Sequence, residues 1–173
     1  MVVSNRLKSS FSFLFFLLAS ASASAQANTY AGAIFSYTST EYNIDGTSAE
    51  SGRPLLFQAQ IGHYFNDYVA LEGRYGVSTG RSGGISVDGL ASLLVKGNVP
   101  ITDQTAIYAL VGGSSAKLDQ QNKGSSTETG MSFGLGAHYA LGKQTALTLE
   151  YLNSLNTDKA RIGGVNLAFQ YRF

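Results

Sequence analysis

The sequence contains no cysteine, and it has only two prolines and two histidines in 173 residues. Without cysteine the chain can form neither a disulfide framework nor a thiolate metal site. The two histidines, His63 and His138, stand far apart in the sequence and are a poor basis for a transition-metal centre. We therefore expect no metal and no cofactor, and a fold that depends on hydrogen bonding and packing alone.

An excess of charge is also missing, and so is a long hydrophobic run. The chain has 12 Lys and Arg against 11 Asp and Glu, which gives nucleic acid no basic surface to bind. A membrane-spanning helix needs roughly 20 consecutive apolar residues, and no segment has them. Glycine is abundant, with 20 residues, and Tyr and Phe contribute 10 each. Apolar residues recur at every second position, which is typical of β-strands.

The first 25 residues have the three-part pattern of a secretory signal peptide. A head with two basic and no acidic residues precedes an apolar stretch at 11–18 and small residues that end in Ala-x-Ala. We expect cleavage after Ala25 or after Ala27, and not a membrane anchor, because the apolar stretch is too short to span. Cleavage after Ala25 leaves 173 − 25 = 148 residues, one domain over 26–173, with a net charge of 10 − 11 = −1.

Eight segments have the period of two that places alternate side chains on opposite faces of a strand. They are Thr29–Thr38, Leu55–Tyr64, Tyr68–Val77, Ile85–Lys96, Thr105–Ser115, Thr129–Ala140, Thr145–Asn153 and Ile162–Phe173. In the fourth segment, Val87 falls with the apolar face and Asp88 with the polar one. The fifth segment is apolar on both faces, so the sequence does not fix which of its residues face which way.

The connections between these segments alternate in length. Long polar loops follow the odd-numbered strands, at 39–54, 78–84, 116–128 and 154–161, and shorter turns follow the even-numbered ones, at 65–67, 97–104 and 141–144. An even-stranded outer-membrane barrel has short periplasmic turns and longer outer loops. This rhythm therefore predicts a barrel with both ends of the chain on the periplasmic side.

Alternation alone does not decide whether the apolar face is inside or outside. A soluble barrel would bury that face, whereas a membrane barrel turns it toward lipid. Here the polar face is rich in Gly, Ser and Ala, as a narrow lumen requires. Aromatic residues also lie near several strand ends, where amphipathic rings meet the membrane–water boundary. Together with the loop rhythm, these features favour lipid outside, with a soluble periplasmic barrel as the alternative.

The last ten residues, Gly164–Phe173, carry aromatic side chains at alternate positions, Phe169, Tyr171 and Phe173. They resemble the terminal strand of bacterial outer-membrane barrels, and the resemblance implies that these three residues form the signal for the barrel-assembly machinery. The segments 134–141 and 149–151 resemble the sixth and seventh strands of the same family.

With eight strands, the chain is similar to the small outer-membrane barrels of the opacity-porin and outer-membrane-protein-A type. That similarity implies an eight-stranded antiparallel transmembrane up-and-down β-barrel (all-β) in the outer membrane of a Gram-negative bacterium. Outer-membrane lipid and lipopolysaccharide would be its surroundings. The family shares a fold and a location but no single activity, so it constrains function only loosely.

Five charged residues fall on the polar, inward side of their strands. They are Glu72, Arg74, Lys96, Glu150 and Arg172. Unpaired charges in a narrow lumen are costly, so we expect these residues to pair. Paired, they would plug the barrel; alternatively they would line or gate a pore. An eight-stranded barrel has an interior just wide enough for side chains, which favours the plug.

The sequence gives little support for a catalytic, calcium or phosphate site beyond this charge network. His138 and Glu150 on neighbouring strands resemble part of the site of lipid A deacylases, but the serine that those enzymes have two residues after the histidine is Ala140 here. The stretch 43–46 lacks most acidic positions of a calcium loop, and the glycine pairs precede no helix that could receive a phosphate. We predict a protein that is not an enzyme.

The sequence therefore predicts an outer-membrane barrel with a structural or surface-interaction role. Binding specificity for an unknown surface ligand is expected in the outer loops, above all 39–54 and 116–128. The alternatives are a small porin-like channel and, less favoured, a lipid A-modifying enzyme.

Overall fold

The computed structural model describes residues 28–42, 50–82, 85–120, 124–157 and 160–173. The predicted signal peptide and the stretch 43–46 lie outside these residues. Within them, no helix is both long enough and apolar enough to cross a membrane.

The described residues form nine strands. They are β1 (Thr29–Tyr42), β2 (Glu50–Gly52), β3 (Leu55–Tyr64), β4 (Val69–Ser78), β5 (Ile85–Pro100), β6 (Thr105–Gln120), β7 (Gly124–Ala140), β8 (Thr145–Asn156) and β9 (Ala160–Arg172). Eight of them are long and correspond one to one to the eight predicted segments. The short β2 pairs with the C-terminal end of β1, where Thr40 lies opposite Gly52. It is not one of the eight strands that form the barrel wall.

The sheet closes on itself. Each long strand pairs antiparallel with the next, and β1 pairs antiparallel with β9 from Tyr30↔Arg172 to Tyr42↔Ala160. The predicted antiparallel barrel is therefore confirmed. Closure matters physically because a sheet edge in lipid would leave backbone donors and acceptors with no partner.

The two ends of the barrel differ. At one end, here named the turn end, lie residues 65–68, 101–104 and 141–144 together with Asn28 and Phe173. Polar side chains fold these turns: Asn66 Oδ1 accepts from the backbone N–H groups of Tyr68 and Val69 at 2.9 and 2.8 Å, as in an Asx turn. The opposite end, here named the loop end, holds the connections from β1 to β3, from β4 to β5, from β6 to β7 and from β8 to β9.

Strands run further toward the loop end than the alternation predicts. Residues 116–120 and 124–128, predicted as loop, continue β6 and β7, and residues 154–156 and 160–161 continue β8 and β9. At the turn end, 97–100 belong to β5. The outward side chains of these segments are mostly polar, so hydrophobic alternation shows no lipid-facing phase for them, and their strand conformation comes from pairing with a neighbour.

The alternation of faces is confirmed. The outward face is a band of apolar side chains that includes Phe35, Leu55, Ile61, Leu93, Val111, Leu135, Leu149 and Leu167, each at least half exposed. The inward residues of the same strands are buried. Exposure of a continuous apolar belt is what lipid contact requires, whereas a soluble barrel would have its bulk inside.

For two strands, only the three-dimensional structure shows which side chains face outward and which face the lumen. In β6, Ile107 and Val111 face outward while Tyr108 and Leu110 face the lumen. In β5, the prediction for Val87 and Asp88 is wrong, because Val87 is fully buried and Asp88 is exposed. The register of β5 against β6 shifts between Val87 and Gly89, so a bulge reverses the alternation at that point.

Candidate functional site: the lumen

An ion-paired cluster crosses the middle of the barrel. Glu72 and Arg74 stand two residues apart on β4 and therefore share its inward face, while Glu150 comes from β8 on the opposite wall. Arg74 Nε lies 2.5 Å from Glu72 Oε1, and Arg74 Nη2 lies 3.0 Å from Glu150 Oε2, with a second Arg74–Glu150 contact through Nη1. All three residues are 5 % exposed or less. One guanidinium thus spans the lumen between two carboxylates.

Tyrosine hydroxyls and an amide complete the hydrogen bonding of the carboxylates. Tyr30 donates to Glu72 Oε2. Tyr108 donates to Glu150 Oε2 at 2.8 Å, and Asn166 Nδ2 donates to Glu150 Oε1 at 2.8 Å. Each carboxylate therefore has several charge-assisted or neutral donors, which is the condition under which a buried ion pair is tolerated.

Two glycines make room for the two tyrosine rings. Tyr30 lies opposite Gly62 on β3, and Tyr108 lies opposite Gly136 on β7. A Cβ atom at Gly62 would come within 2.3 Å of Tyr30 Cζ, and one at Gly136 within 2.5 Å of Tyr108 Cζ. The small residues of the inward face thus serve a definite purpose, because they let large polar side chains fold across the lumen.

Lys96 joins this cluster without an ion pair. It is fully buried, and its Nζ lies 4.0 Å from the ring centroid of Tyr108 and 5.5 Å from that of Tyr30. Its contacts are therefore of the cation–π kind, and Nζ has no hydrogen-bond partner among the described residues. With Glu72, Glu150 and Arg74, it makes the cluster formally neutral.

Arg172, the fifth predicted member, lies apart from the other four. It is exposed at the turn end, where its guanidinium carbon lies 5.2 Å from the ring centroid of Tyr64. The expectation that it joins the internal ion pairs is wrong, because the inward face of the last residue of β9 opens on the mouth of the barrel.

Layers of apolar and small polar side chains fill the lumen toward the loop end. Leu94, Leu110 and Leu152 pack with Tyr108 directly beside the ion-paired cluster. Beyond them, Ser114 donates to Ser92 Oγ at 2.6 Å and lies 2.6 Å from Ser132 Oγ. This chain of hydroxyls links β5, β6 and β7 through the interior.

A second apolar cluster closes the loop end of the lumen. It consists of Leu56, Val87, Leu90, Ala116, Leu118, Leu155, Ala160 and Ile162, all nearly or fully buried. The sequence prediction of a small, polar lumen face missed these residues. Most of them lie near bulges or in the strand extensions, where simple alternation fails, although Leu56 was visible as an apolar residue in the polar phase.

The residues considered for catalysis do not form a site. His138 and Glu150 lie on neighbouring strands, but His138 is opposite Thr148, whereas Glu150 is opposite Gly136. Both oxygens of Glu150 are already engaged by Arg74, Tyr108 and Asn166. Within the described part of the chain, no group of three or more His, Cys, Asp or Glu could hold a metal ion.

The three aromatic residues of the predicted assembly signal lie at the turn-end half of β9. Phe169 and Tyr171 face outward, and the Tyr171 ring contacts that of Phe173 with centroids 5.4 Å apart. Because β9 pairs with both β8 and β1, it is the strand that closes the barrel. Their role in assembly stays a prediction.

Comparison with known proteins finds a matching family model and several solved structures with a similar fold. The family model for the outer membrane protein beta-barrel domain matches residues 11–173. No match was found among curated proteins. Among solved structures, the attachment invasion locus protein Ail of Yersinia pestis is 20% identical, with a TM-score of 0.56 over 86% of this chain and 100% of that one.

Two further structures have the same fold. Neisserial surface protein A is 15% identical, with a TM-score of 0.65 over 84% of this chain and 97% of that one. The N-terminal β-barrel domain of Pseudomonas aeruginosa OprF is 14% identical, with a TM-score of 0.59 over 86% and 100%. At sequence identities this low, the similarity to these structures shows a shared fold only.

Proposed function

The chain belongs to the outer membrane protein beta-barrel domain family, and from that premise we propose that it is a closed outer-membrane barrel whose role is structural or in surface interaction. The observation that carries this proposal is the side-chain plug. Arg74 bridges Glu72 on one wall and Glu150 on the other, and apolar layers stack above them. Such an interior, among the residues that the structure describes, supports a lumen that is closed to solutes.

Conductance of the purified protein in planar lipid bilayers tests the closed lumen. We expect no steady ion current from the wild-type protein, and an increased current from the double variant Leu90→Ala, Arg74→Ala, which thins both the apolar layer and the ionic plug. The matched control is Lys117→Ala, on the exposed face of β6. A steady, salt-dependent current through the wild-type barrel would overturn the proposal in favour of the porin-like channel.

The loop end supplies the surface for interaction. β6 and β7 continue beyond the apolar band as a polar hairpin, and Arg81 pairs there with Asp119 while remaining exposed. Ordered polar strands that project from a barrel offer a partner a preorganised surface, which lowers the entropic cost of binding.

A shortened hairpin tests this role. We propose replacing residues 119–125 by a two-residue Asn-Gly turn, which keeps Leu118 in the apolar cluster and keeps the pairing of β6 with β7 from Leu118↔Ser126 toward the turn end. Cells that display the wild-type protein should then adhere to a surface or aggregate with one another more than cells that display the shortened variant at equal abundance. Equal adhesion would remove the hairpin from consideration as the interaction surface.

The route to the membrane forms part of the same proposal. A signal peptide cleaved after Ala25 or Ala27 would export the chain, the aromatic end of β9 would engage the barrel-assembly machinery, and the turn end would face the periplasm. The mature N-terminus can be determined by mass spectrometry of the outer-membrane fraction. The folded barrel should migrate differently on a gel before and after heating, and recovery from the soluble periplasm would contradict this localisation.

We propose no enzymatic step. The position that a deacylase-like site would need for its serine is Ala140, and Glu150 is held by three donors. Lipid A from cells with and without the protein should have identical mass spectra. A new lipid A species that requires His138 would establish the enzymatic alternative.

A further inference from the structure

A cavity of about 520 Å³ opens at the turn end of the barrel. Strand ends and all three turns line it, and its buried lining residues include Tyr30 and Tyr64, whose rings pack together with centroids 5.4 Å apart. The volume falls within the range of small-molecule sites. The cavity lies on the opposite side of the ionic plug from the apolar layers, so it does not contribute to a path through the barrel.

Several polar groups at this cavity have no partner. His138 Nδ1 and Asn98 Oδ1 are buried, line the cavity, and lack hydrogen-bond partners among the described residues. Lys96 Nζ is likewise unpartnered and lies 5.5 and 5.9 Å from the ring centroids of Tyr30 and Tyr64. Buried polar groups are normally hydrogen-bonded, so a cluster of unsatisfied ones at one cavity indicates a site that accepts a polar ligand.

Two hydrogen-bond donors face the cavity from neighbouring parts of the wall. Arg172 from β9 supplies a cationic guanidinium and His138 from β7 supplies an imidazole. The lumen carboxylates Glu72 and Glu150 balance the charges of Arg74 and Lys96, so Arg172 is the basic group of this region that the lumen cluster does not neutralise. The acidic lining residues, Asp67 and Asp103, belong to the turns at the rim, as does the basic residue Lys143.

We propose that the turn-end cavity binds a small ligand through a carboxylate or phosphate group. Arg172 and the imidazole of His138 would donate hydrogen bonds to the anionic oxygens, and the Tyr64 ring would pack against the body of the ligand. Donors from charged groups make short, strong hydrogen bonds to anionic oxygens. The ligand enters from the side of the short turns and leaves the loop-end surface free.

Titration of the refolded wild-type barrel in detergent micelles tests this site, with sodium acetate and inorganic phosphate as probes and chloride at matched ionic strength as the reference. Nuclear magnetic resonance signals of Arg172, His138 and Tyr64 should shift saturably with at least one probe. A response to acetate alone or to phosphate alone supports the site and defines its preferred anion. Shifts that are absent, or that chloride reproduces at the same concentrations, overturn it.

Two variants locate the binding. Arg172→Gln and His138→Gln should each weaken the affinity for the responding probe by about tenfold, the loss expected for one charge-assisted hydrogen bond. Lys117→Gln, at the loop end, removes one positive charge far from the cavity and should leave the affinity unchanged. Circular dichroism and the heat-induced gel shift verify that each variant is folded. Equal weakening by all three variants would show only general ionic attraction and would refute the site.

Discussion

Removal of the Arg74 guanidinium should be among the most damaging single changes to this barrel. The variant Arg74→Met keeps much of the side-chain volume but leaves Glu72 and Glu150 facing the lumen without their bridging cation. Both carboxylates are 4 % exposed or less, so water cannot replace the lost contacts. Breaking a buried pair in this way costs about 3–5 kcal/mol of unfolding free energy.

Urea-induced unfolding in lipid vesicles, followed by tyrosine fluorescence and by the heat-induced gel shift, measures the cost. With a dependence of unfolding free energy on urea of about 2 kcal/mol per molar, the midpoint should fall by roughly 2 M. Arg172→Met is the matched control, because Arg172 is exposed and its guanidinium lies against the Tyr64 ring without an ion pair among the described residues. Its effect should stay below about 1 kcal/mol.

A compensating variant separates charge from packing. Glu150→Gln in the Arg74→Met background leaves one carboxylate, Glu72, with Lys96, so the cluster is again formally neutral while the shape of the side chains is preserved. It should recover at least half of the lost stability, since the main penalty is buried charge and not an empty volume. If Arg74→Met unfolds at the wild-type urea concentration, or if the double variant is no more stable than the single one, the proposed energetics of the plug are wrong.

Three further changes have defined outcomes. Gly62→Val should destabilise the barrel and displace the Tyr30 ring, visible in its nuclear magnetic resonance shifts, because even a Cβ atom would overlap that ring; wild-type shifts and stability would contradict the close packing. Leu93→Arg places a charge on the lipid-facing band and should cost about 2–4 kcal/mol in bilayer unfolding experiments, whereas a neutral effect would exclude lipid contact there. Phe173→Ala should lower the yield of barrel inserted in cells while leaving the stability of refolded protein nearly unchanged, and equal insertion would remove Phe173 from the assembly signal.

The strand pattern shows how far the sequence alone leads. Period-two alternation locates all eight long strands, because each wall of the barrel has one face in lipid and one in a narrow lumen, and the two environments select different side chains. The prediction fails where that contrast weakens. The bulge at Val87–Gly89 reverses the phase, and the polar extensions of β6 and β7 have no lipid-facing side chains to reveal them.

The lumen charges show the other limit. Glu72, Arg74, Lys96 and Glu150 are identifiable from the sequence because charge on an inward phase is rare and must be compensated. Which of them pair cannot be identified from the sequence, because Arg74 and Glu150 are 76 residues apart and meet only across the closed barrel. Strand alternation also could not distinguish Arg172 from the other four charged residues, because Arg172 shares their inward phase but lies at the open turn end of the barrel.

The sequence by itself therefore determined the class of the fold, the face that meets lipid and the residues available to the lumen, since these depend on local alternation. Tertiary structure decided which residues touch. Closure of β1 on β9 and the tilt and register of the strands bring Arg74 between two carboxylates and place Tyr30 and Tyr108 over glycines. Closure also brings His138 and Arg172 to one cavity. Contacts between opposite walls join residues far apart in the sequence, so local alternation cannot reveal them.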